Sequence, residues 1–296
     1  MQSDSSVAYN QFDSDGDHHW NEYRYRKKLM MIYKTLVALE GNLPVAIIGL
    51  AEVENKKVLS DLISQTPLNQ KNYKIIHFES PDRRGIDVAL LYQVAQFNPL
   101  YAKRIPVVSP EAPTFRTRDI LYVKGLLLND TVHVFVNHWP SSYSGLMRNR
   151  PKRLLAAHTL KQTLDSIQSI NPHANLLVMG DFNETPGGPA IKFLTRNAES
   201  LYNLDPKPDF GNAKGSIKRG SVWSVYDQMI VSKSLITDST GLFVKDKSFH
   251  IFDVGFLLER DSKFSGVKAF RSYEGFKYHG GISDHLPVYI EISAVK

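Results

Sequence analysis

Short apolar runs of strand length recur along this 296-residue chain, and several close on a polar residue that a strand interior could not hold without a partner. Leu177-Val178-Met179-Gly180 runs into Asp181-Phe182-Asn183, Ile47-Ile48-Gly49-Leu50 into Ala51-Glu52, and the run ending at Val136 into Asn137-His138. Asp227 stands between Tyr226 and the apolar Met229-Ile230-Val231. A fold made of such runs must bury the apolar stretches and bring their ends together at a surface. Sheets packed against helices build their sites at strand ends in this way.

The remaining patterning agrees with a sheet-rich, helix-covered molecule. Residues 20–39 form an amphipathic helix, with Leu29, Ile32, Leu36 and Leu39 at helical spacing. Strands are expected at Val45–Leu50, Tyr73–Phe78, Ile86–Tyr92, Ile120–Leu128 and Thr131–Asn137, the last two joined by a hairpin turn at Asn129-Asp130. A long helix is expected over Pro151–Ile170, with Pro151 in its first turn, where a missing N–H costs nothing. Then follow a strand at Asn175–Met179, a short helix at Pro189–Leu194, and strands at Val225–Val231 and Val288–Ile292. Residues 203–220 read as a polar surface loop. No repeat and no compositional break appears, so a single domain over 1–296 is expected, a mixed sheet with helices outside. Patterning does not give the strand order.

Composition excludes several chemistries. The chain has no cysteine, so disulfides, a thiolate nucleophile and a cysteine zinc site are all ruled out. No apolar run approaches the ~20 residues needed to span a bilayer. The polar start Met1-Gln2-Ser3-Asp4 shows no signal peptide. The compartment stays open: secreted or periplasmic if a leader was removed, cytoplasmic otherwise. A net charge of +6, from 36 Lys and Arg against 30 Asp and Glu, favours a polyanionic partner, although a basic protein without one fits the charge equally. Arg148, Arg150, Lys152 and Arg153 cluster where the long helix begins, and a solvated helix turn accounts for them.

The strand-end residues carry the chemistry. Glu52 suits a hard-cation ligand, or equally a helix N-terminal acid. His138 could donate to a phosphate oxygen or be a satisfied structural histidine. Asp181 and Asn183, two apart, face the same way if the chain is extended, and could then activate and orient a water. An Asx turn after Gly180 is the alternative. Phe182 would point into the core. Asp227 needs a partner inside its strand, either a lysine or arginine or the imidazole of His285. His285 belongs to Ser283-Asp284-His285-Leu286-Pro287-Val288, where a carboxylate stands beside an imidazole of reference pKa about 6.5.

Taken together, Gly49-Leu50-Ala51-Glu52-Val53, Gly180-Asp181-Phe182-Asn183, Tyr226-Asp227 and Ser283-Asp284-His285-Leu286-Pro287-Val288 resemble the endonuclease/exonuclease/phosphatase family of metal-dependent phosphoesterases. The bacterial branch resembles this chain over nearly its whole length. Ser80-Pro81-Asp82-Arg83-Arg84-Gly85-Ile86-Asp87-Val88, Asn137-His138-Trp139-Pro140-Ser141 and Phe270-Arg271-Ser272-Tyr273-Glu274-Gly275 carry that likeness. The resemblance implies an α/β fold, a four-layer α-β-β-α sandwich of two mixed sheets, and phosphate-ester hydrolysis with Mg²⁺ or Mn²⁺. It makes Glu52 the principal metal ligand with Asp284 supporting the metal region. Asp181 would activate the attacking water, and Asn183 would hold it or a phosphate oxygen. His138 would contact the phosphate, and His285, oriented by Asp227, would stabilise the transition state or transfer a proton. Arg118 resembles a phosphate-contacting arginine.

The family opens with a strand carrying an Asn. Here Val7-Ala8-Tyr9-Asn10 is followed by Gln11-Phe12-Asp13-Ser14-Asp15-Gly16-Asp17, so residues 3–20 read as the family's acidic loop and the first strand as missing. That predicts a gap in one sheet and weakened metal affinity. The expected function is a metal-dependent phosphodiesterase, a nuclease acting on nucleic acid or another phosphodiester, as a monomer without a stable protein partner. The alternatives are a small-molecule, phospholipid or inositol phosphoesterase, and a catalytically impaired phosphate- or nucleic-acid-binding member.

Overall fold

Two sheets pack face to face, and each carries helices on its outer side. In this computed structural model, residues 16 and 18–295 are described apart from 110, 113, 142–145, 197–199, 208–211 and 238–240, with the backbone alone for 146–148. The order begins α1 Glu22–Leu39, β1 Ile47–Val53, α2 Lys56–Ser64, β2 Tyr73–His77, β3 Asp87–Gln93, β4 Phe97–Ile105, β5 Ile120–Leu127, β6 Asp130–His138 and α3 Leu146–Ile170. It continues with β7 Asn175–Asp181, α4 Pro189–Thr195, β8 Leu201–Asn203, β9 Asp205–Pro206, β10 Ile217–Arg219, β11 Val222–Ser224 and β12 Asp227–Ser232. The last strands are β13 Leu242–Val244, β14 Ser248–Ile251, β15 Leu258–Arg260, β16 Val267–Ala269, β17 Tyr273–Glu274, β18 Lys277–Tyr278, β19 Val288–Tyr289 and β20 Ile292–Ala294.

One sheet has the order β4-β5-β6-β7-β12-β8, with β6 and β7 parallel and the other neighbours antiparallel. The facing layer contains β1-β3-β2, β19-β14-β9 and β13-β20. Strand alternation makes the sandwich. On β5, Leu121 and Val123 point into the space between the sheets, while Ile120 and Tyr122 meet the apolar faces of α3 and α4. On β3, Val88 and Leu90 face the other sheet while Ala89 and Leu91 meet α1 and α2. A strand covered on both faces must be apolar throughout, which is why β3 reads as an unbroken run. α1 starts where the Asn21 side chain accepts from the Arg24 N–H, and α2 where Asn55 accepts from Val58. No helix among the described residues is long and apolar enough to cross a membrane.

Several elements differ from the expectation. β4 was not foreseen, because Asn98, Pro99, Lys103 and Arg104 interrupt its apolar residues. It is the sheet's edge strand, where a proline is tolerated, and a bulge falls between Pro99 and Tyr101. The β5–β6 turn centres on Leu128 and Asn129, both left-handed (φ 50° and 71°), one residue earlier than expected. α3 begins at Leu146, which puts Pro151 inside the helix rather than in its first turn. β9 and β10 fall inside the expected loop at 203–220, and the last strand divides into β19 and β20. Val7–Asn10 lie outside the described residues. Among those residues, β1 has no hydrogen-bonded neighbour on the side away from β3.

Candidate active site

Strand register brings three of the singled-out residues into one row. His138 is paired with Asp181 across the parallel β6–β7 ladder, and Asp181 with Asp227 across the antiparallel β7–β12 ladder. Two positions back lie Val136, Met179 and Met229, all in the core between the sheets. The polar row is therefore the inner face of the sandwich continued to its open end. His138 Nε2 lies 3.5 Å from Asp181 Oδ2. Gly180 makes the close approach possible. Its φ is +137°, and a Cβ there would lie 2.0 Å from the Asn137 carbonyl oxygen.

Asp181 and Asn183 do meet, but not through an extended strand. Asn183 has φ +49°, and its N–H donates to Asp181 Oδ1 at 2.8 Å, which is an Asx turn. Its Nδ2 donates to Asp181 Oδ2 at 2.9 Å and to the Trp139 carbonyl at 3.1 Å. The turn and the polar pair, which the sequence poses as alternatives, are thus the same structure. Phe182 is fully buried against Trp139, as expected.

His285 reaches the row from a separate segment. It bridges to Ile217 of β10, and its Nδ1 lies 2.7 Å from Asp227 Oδ2. Histidine, not a lysine or arginine, is therefore the partner of Asp227. Ser216, fully buried, organises this corner. Its Oγ accepts from the Tyr226 and Asp227 N–H groups, both at 3.1 Å, and its carbonyl accepts from the Leu286 N–H at 2.7 Å. Behind the segment, Lys28 of α1 donates to the Ile282 carbonyl and to Ser272 Oγ. Burial lowers the Lys28 ammonium to about 8 against the raising influence of Glu52 and Asp284. Neither Ser216 nor Lys28 is legible in sequence. One lies in a polar stretch, and the other looks like a solvent-facing lysine of an amphipathic helix.

Glu52 sits at a β-bulge. Ala51 pairs with Val88 and Val53 with Asp87, which leaves Glu52 as the extra residue, with φ +57°. In an unbroken ladder Glu52 would take the helix-facing position. The bulge gives that place to buried Val53 and releases the carboxylate, which is 57 % exposed. A left-handed glutamate at a strand end stores strain of the kind found at functional sites. Arg84 Nη1 lies 4.0 Å from Glu52 Oε1, and Asp284 Oδ2 lies 3.6 Å from Arg271 Nη2.

Arg118 is placed differently from the other expected site residues. Its side chain is 4 % exposed and all its nitrogens are engaged: Nη1 with Asp82 at 2.9 Å, Nε with the His138 carbonyl at 3.1 Å, and Nη2 with the Trp139 carbonyl at 2.7 Å. It ties the loop between β2 and β3 to the end of β6.

The electrostatics set the groups apart. Burial, then the neighbouring Asp227 and Glu52, pushes the Asp181 carboxyl up to about 7, against the imidazole of His285. Burial opposes the charged form of His285, but Asp227, through charge and hydrogen bond, and then Asp181 and Asp284 raise it to about 10. Burial holds His138 well below its ordinary value, reinforced by Arg118, Arg84 and His285, so its ring is neutral. Its Nδ1 is buried without a hydrogen-bond partner.

Ligand atoms of Asp181, Asp227 and His285 lie within 4.8 Å of one another. Among the described residues Glu52 and Asp284 join no such tight group. A second cluster, His77, Glu79 and Asp87, is a structural knot, since Asp87 already accepts from Ser80 N and Oγ and pairs with His77 at 3.0 Å. Burial first, and then the nearby Asp227 and Glu52 carboxylates, raise Asp181, and oxygen donors of this kind suit a hard cation.

The Endonuclease/Exonuclease/phosphatase family model matches residues 1–294. No protein of curated function matches the sequence. Among solved structures, a mannosyl-6-phosphatase of Bacteroides thetaiotaomicron superposes with a TM-score of 0.60 at 14 % identity, over 92 % of this chain and 91 % of its own. The human Nocturnin catalytic domain gives 0.60 at 18 % identity, over 97 % and 93 %. A D. rerio TDP2 complexed with a single-strand DNA product gives 0.56 at 12 % identity, over 91 % and 92 %. At these identities the likeness is one of fold.

Proposed function

The chain belongs to the Endonuclease/Exonuclease/phosphatase family, and from that membership we propose that it is a divalent-metal-dependent phosphodiester hydrolase acting on nucleic acid, its 296 residues forming one catalytic domain. The observation that carries this reading is the Asp227–His285 pair at 2.7 Å, set in one row with Asp181 and His138. Such hydrolysis needs an in-line water that loses a proton and a donor set for the charge gathering on the equatorial phosphate oxygens.

The residues divide these tasks. Asp181, pushed up to about 7, has the proton affinity of a base working near neutrality, and the Asn183 amide holds it in orientation. His285, kept cationic by Asp227, supplies an imidazolium to a phosphate oxygen or to the leaving group. His138 contributes a neutral ring beside Asp181 and contacts the phosphate without adding charge. Glu52 and Asp284 would hold Mg²⁺ or Mn²⁺, which when bound supplies Lewis-acid stabilisation of the phosphoryl oxygens. The basic charge of +6 supports a polyanionic substrate, as does the DNA product held by the TDP2 neighbour.

A panel tests the reading. Plasmid DNA, RNA and bis-p-nitrophenyl phosphate should turn over faster than p-nitrophenyl phosphate and sugar phosphates, in the presence of Mg²⁺ or Mn²⁺. Monoesters cleaved faster than every diester would make the protein a phosphatase, the activity named for its Bacteroides neighbour.

A further inference from the structure

Arg118 and Arg84 share one acid, Asp82, and differ in everything else. The Asp82 side chain is 7 % exposed, and its Oδ2 takes the Arg118 guanidinium at 2.9 Å. Its Oδ1 accepts from the Arg84 N–H at 3.0 Å and lies 3.6 Å from Arg84 Nε. The Gly85 N–H closes the turn onto the Asp82 carbonyl at 3.0 Å, with Gly85 at φ +61°. The ends of this loop are also fixed, since Asp87 Oδ1 accepts from both Ser80 N and Ser80 Oγ. The backbone of Arg84 is thus held in a fixed turn by Asp82, which Arg118 ties to the end of β6.

The head of Arg84 is left open. Its side chain is 51 % exposed, and among the described residues its terminal nitrogens make no hydrogen bond. Nη1 lies 4.0 Å from Glu52 Oε1, at the bulge of β1. Through Asp82 and Arg118 the Arg84 side chain is tied to the end of β6 that carries His138, and its charge acts on that ring. A half-exposed guanidinium anchored at Nε beside Asp82, with Glu52 4.0 Å from Nη1, has the fork geometry that binds two oxygens of one phosphate.

We infer that Arg84 is the substrate-phosphate contact of this site, binding non-bridging oxygens of the phosphate, with Arg118 and Asp82 as the residues that position it. The inference rests on the proposed phosphoester hydrolysis and moves the phosphate-binding role expected of Arg118 to the arginine on the other side of Asp82. Arg118 is poorly placed for that role, since its side chain is 4 % exposed and each of its nitrogens already donates to the protein.

The test compares wild type with Arg84→Ala and Arg84→Lys at saturating Mn²⁺, using bis-p-nitrophenyl phosphate, with calorimetric titration of the metal-free proteins by inorganic phosphate as a second readout. Arg84→Ala should lose about 30-fold or more in kcat/KM and bind phosphate at least about tenfold more weakly, while Arg84→Lys keeps part of both. Added guanidinium chloride at millimolar concentration should restore turnover to Arg84→Ala and leave wild type unchanged, which a merely structural arginine would not show. Arg84→Ala turnover and phosphate binding both within twofold of wild type would overturn the inference. So would a variant that binds Mn²⁺ more tightly with unchanged turnover, since Arg84 would then only stand in for the cation at Glu52. If wild type hydrolyses no phosphoester but binds phosphate through Arg84, the inference stands and the proposed reaction falls.

Discussion

His285 Nδ1 lies 2.7 Å from Asp227 Oδ2, although the two residues are 58 positions apart and on segments that meet only at the open end of the sandwich. The contact explains how a carboxylate is held at the start of an otherwise apolar strand, and how the imidazole is raised to about 10.

The pair has a signature in stability. The His285 pKa in the folded protein is above the value near 6.5 expected in the unfolded chain, so its contribution is complete below that value and disappears as pH rises through about 10. Asp227→Asn removes most of it. Thermal melts should show the variant less stable by on the order of 5 °C at pH 6, with the gap closing as pH approaches 10.

Asp181 has the opposite sign. Its carboxyl holds a proton up to about 7 in the metal-free folded protein but ionises near 4 when unfolded. Folding therefore weakens as pH rises from 4 to 7, and the full cost remains above 7. Asp181→Asn should abolish turnover, and relative to wild type the metal-free variant should be more stable at pH 8 than near pH 4. Urea unfolding at the two pH values measures it.

Ser216→Ala leaves the buried Tyr226 N–H and the half-buried Asp227 N–H without their acceptor. The expected cost is about 1–3 kcal/mol, together with a fall in kcat, because the same serine sets the start of β12 and the segment bearing His285. Chemical denaturation and steady-state kinetics on one preparation check both.

Gly180→Ala should be among the most damaging single-methyl changes. The added carbon would overlap the Asn137 carbonyl and sit on a backbone that L residues avoid. A loss above ~2 kcal/mol is expected, or failure to fold, and circular dichroism with urea titration decides.

Much of this site was legible in sequence because its residues end strongly patterned runs. Asp181, His138 and Asp227 each interrupt or close an apolar stretch, and a strand that is apolar on both faces advertises its own end. Their alignment in one row was not legible, since register depends on pairing between distant segments. Nor was the bulge at Glu52, which arises only against β3. Arg118 shows the limit of resemblance. Its place beside the site follows from the strand it precedes, but what its nitrogens bind is set by Asp82, 36 residues earlier. Residue types alone gave no reason to prefer it over Arg84.

The central claim is that Asp227, His285 and Asp181 form the working row of a metal-dependent phosphodiesterase. Hydrolysis of bis-p-nitrophenyl phosphate with Mn²⁺, by wild type and by His285→Ala, tests it most directly. The expected result is turnover by wild type that a chelator abolishes, and a loss of about 10²–10³ in kcat in the variant. A His285→Ala protein as active as wild type, or a folded, metal-supplied wild type with no turnover, would contradict it.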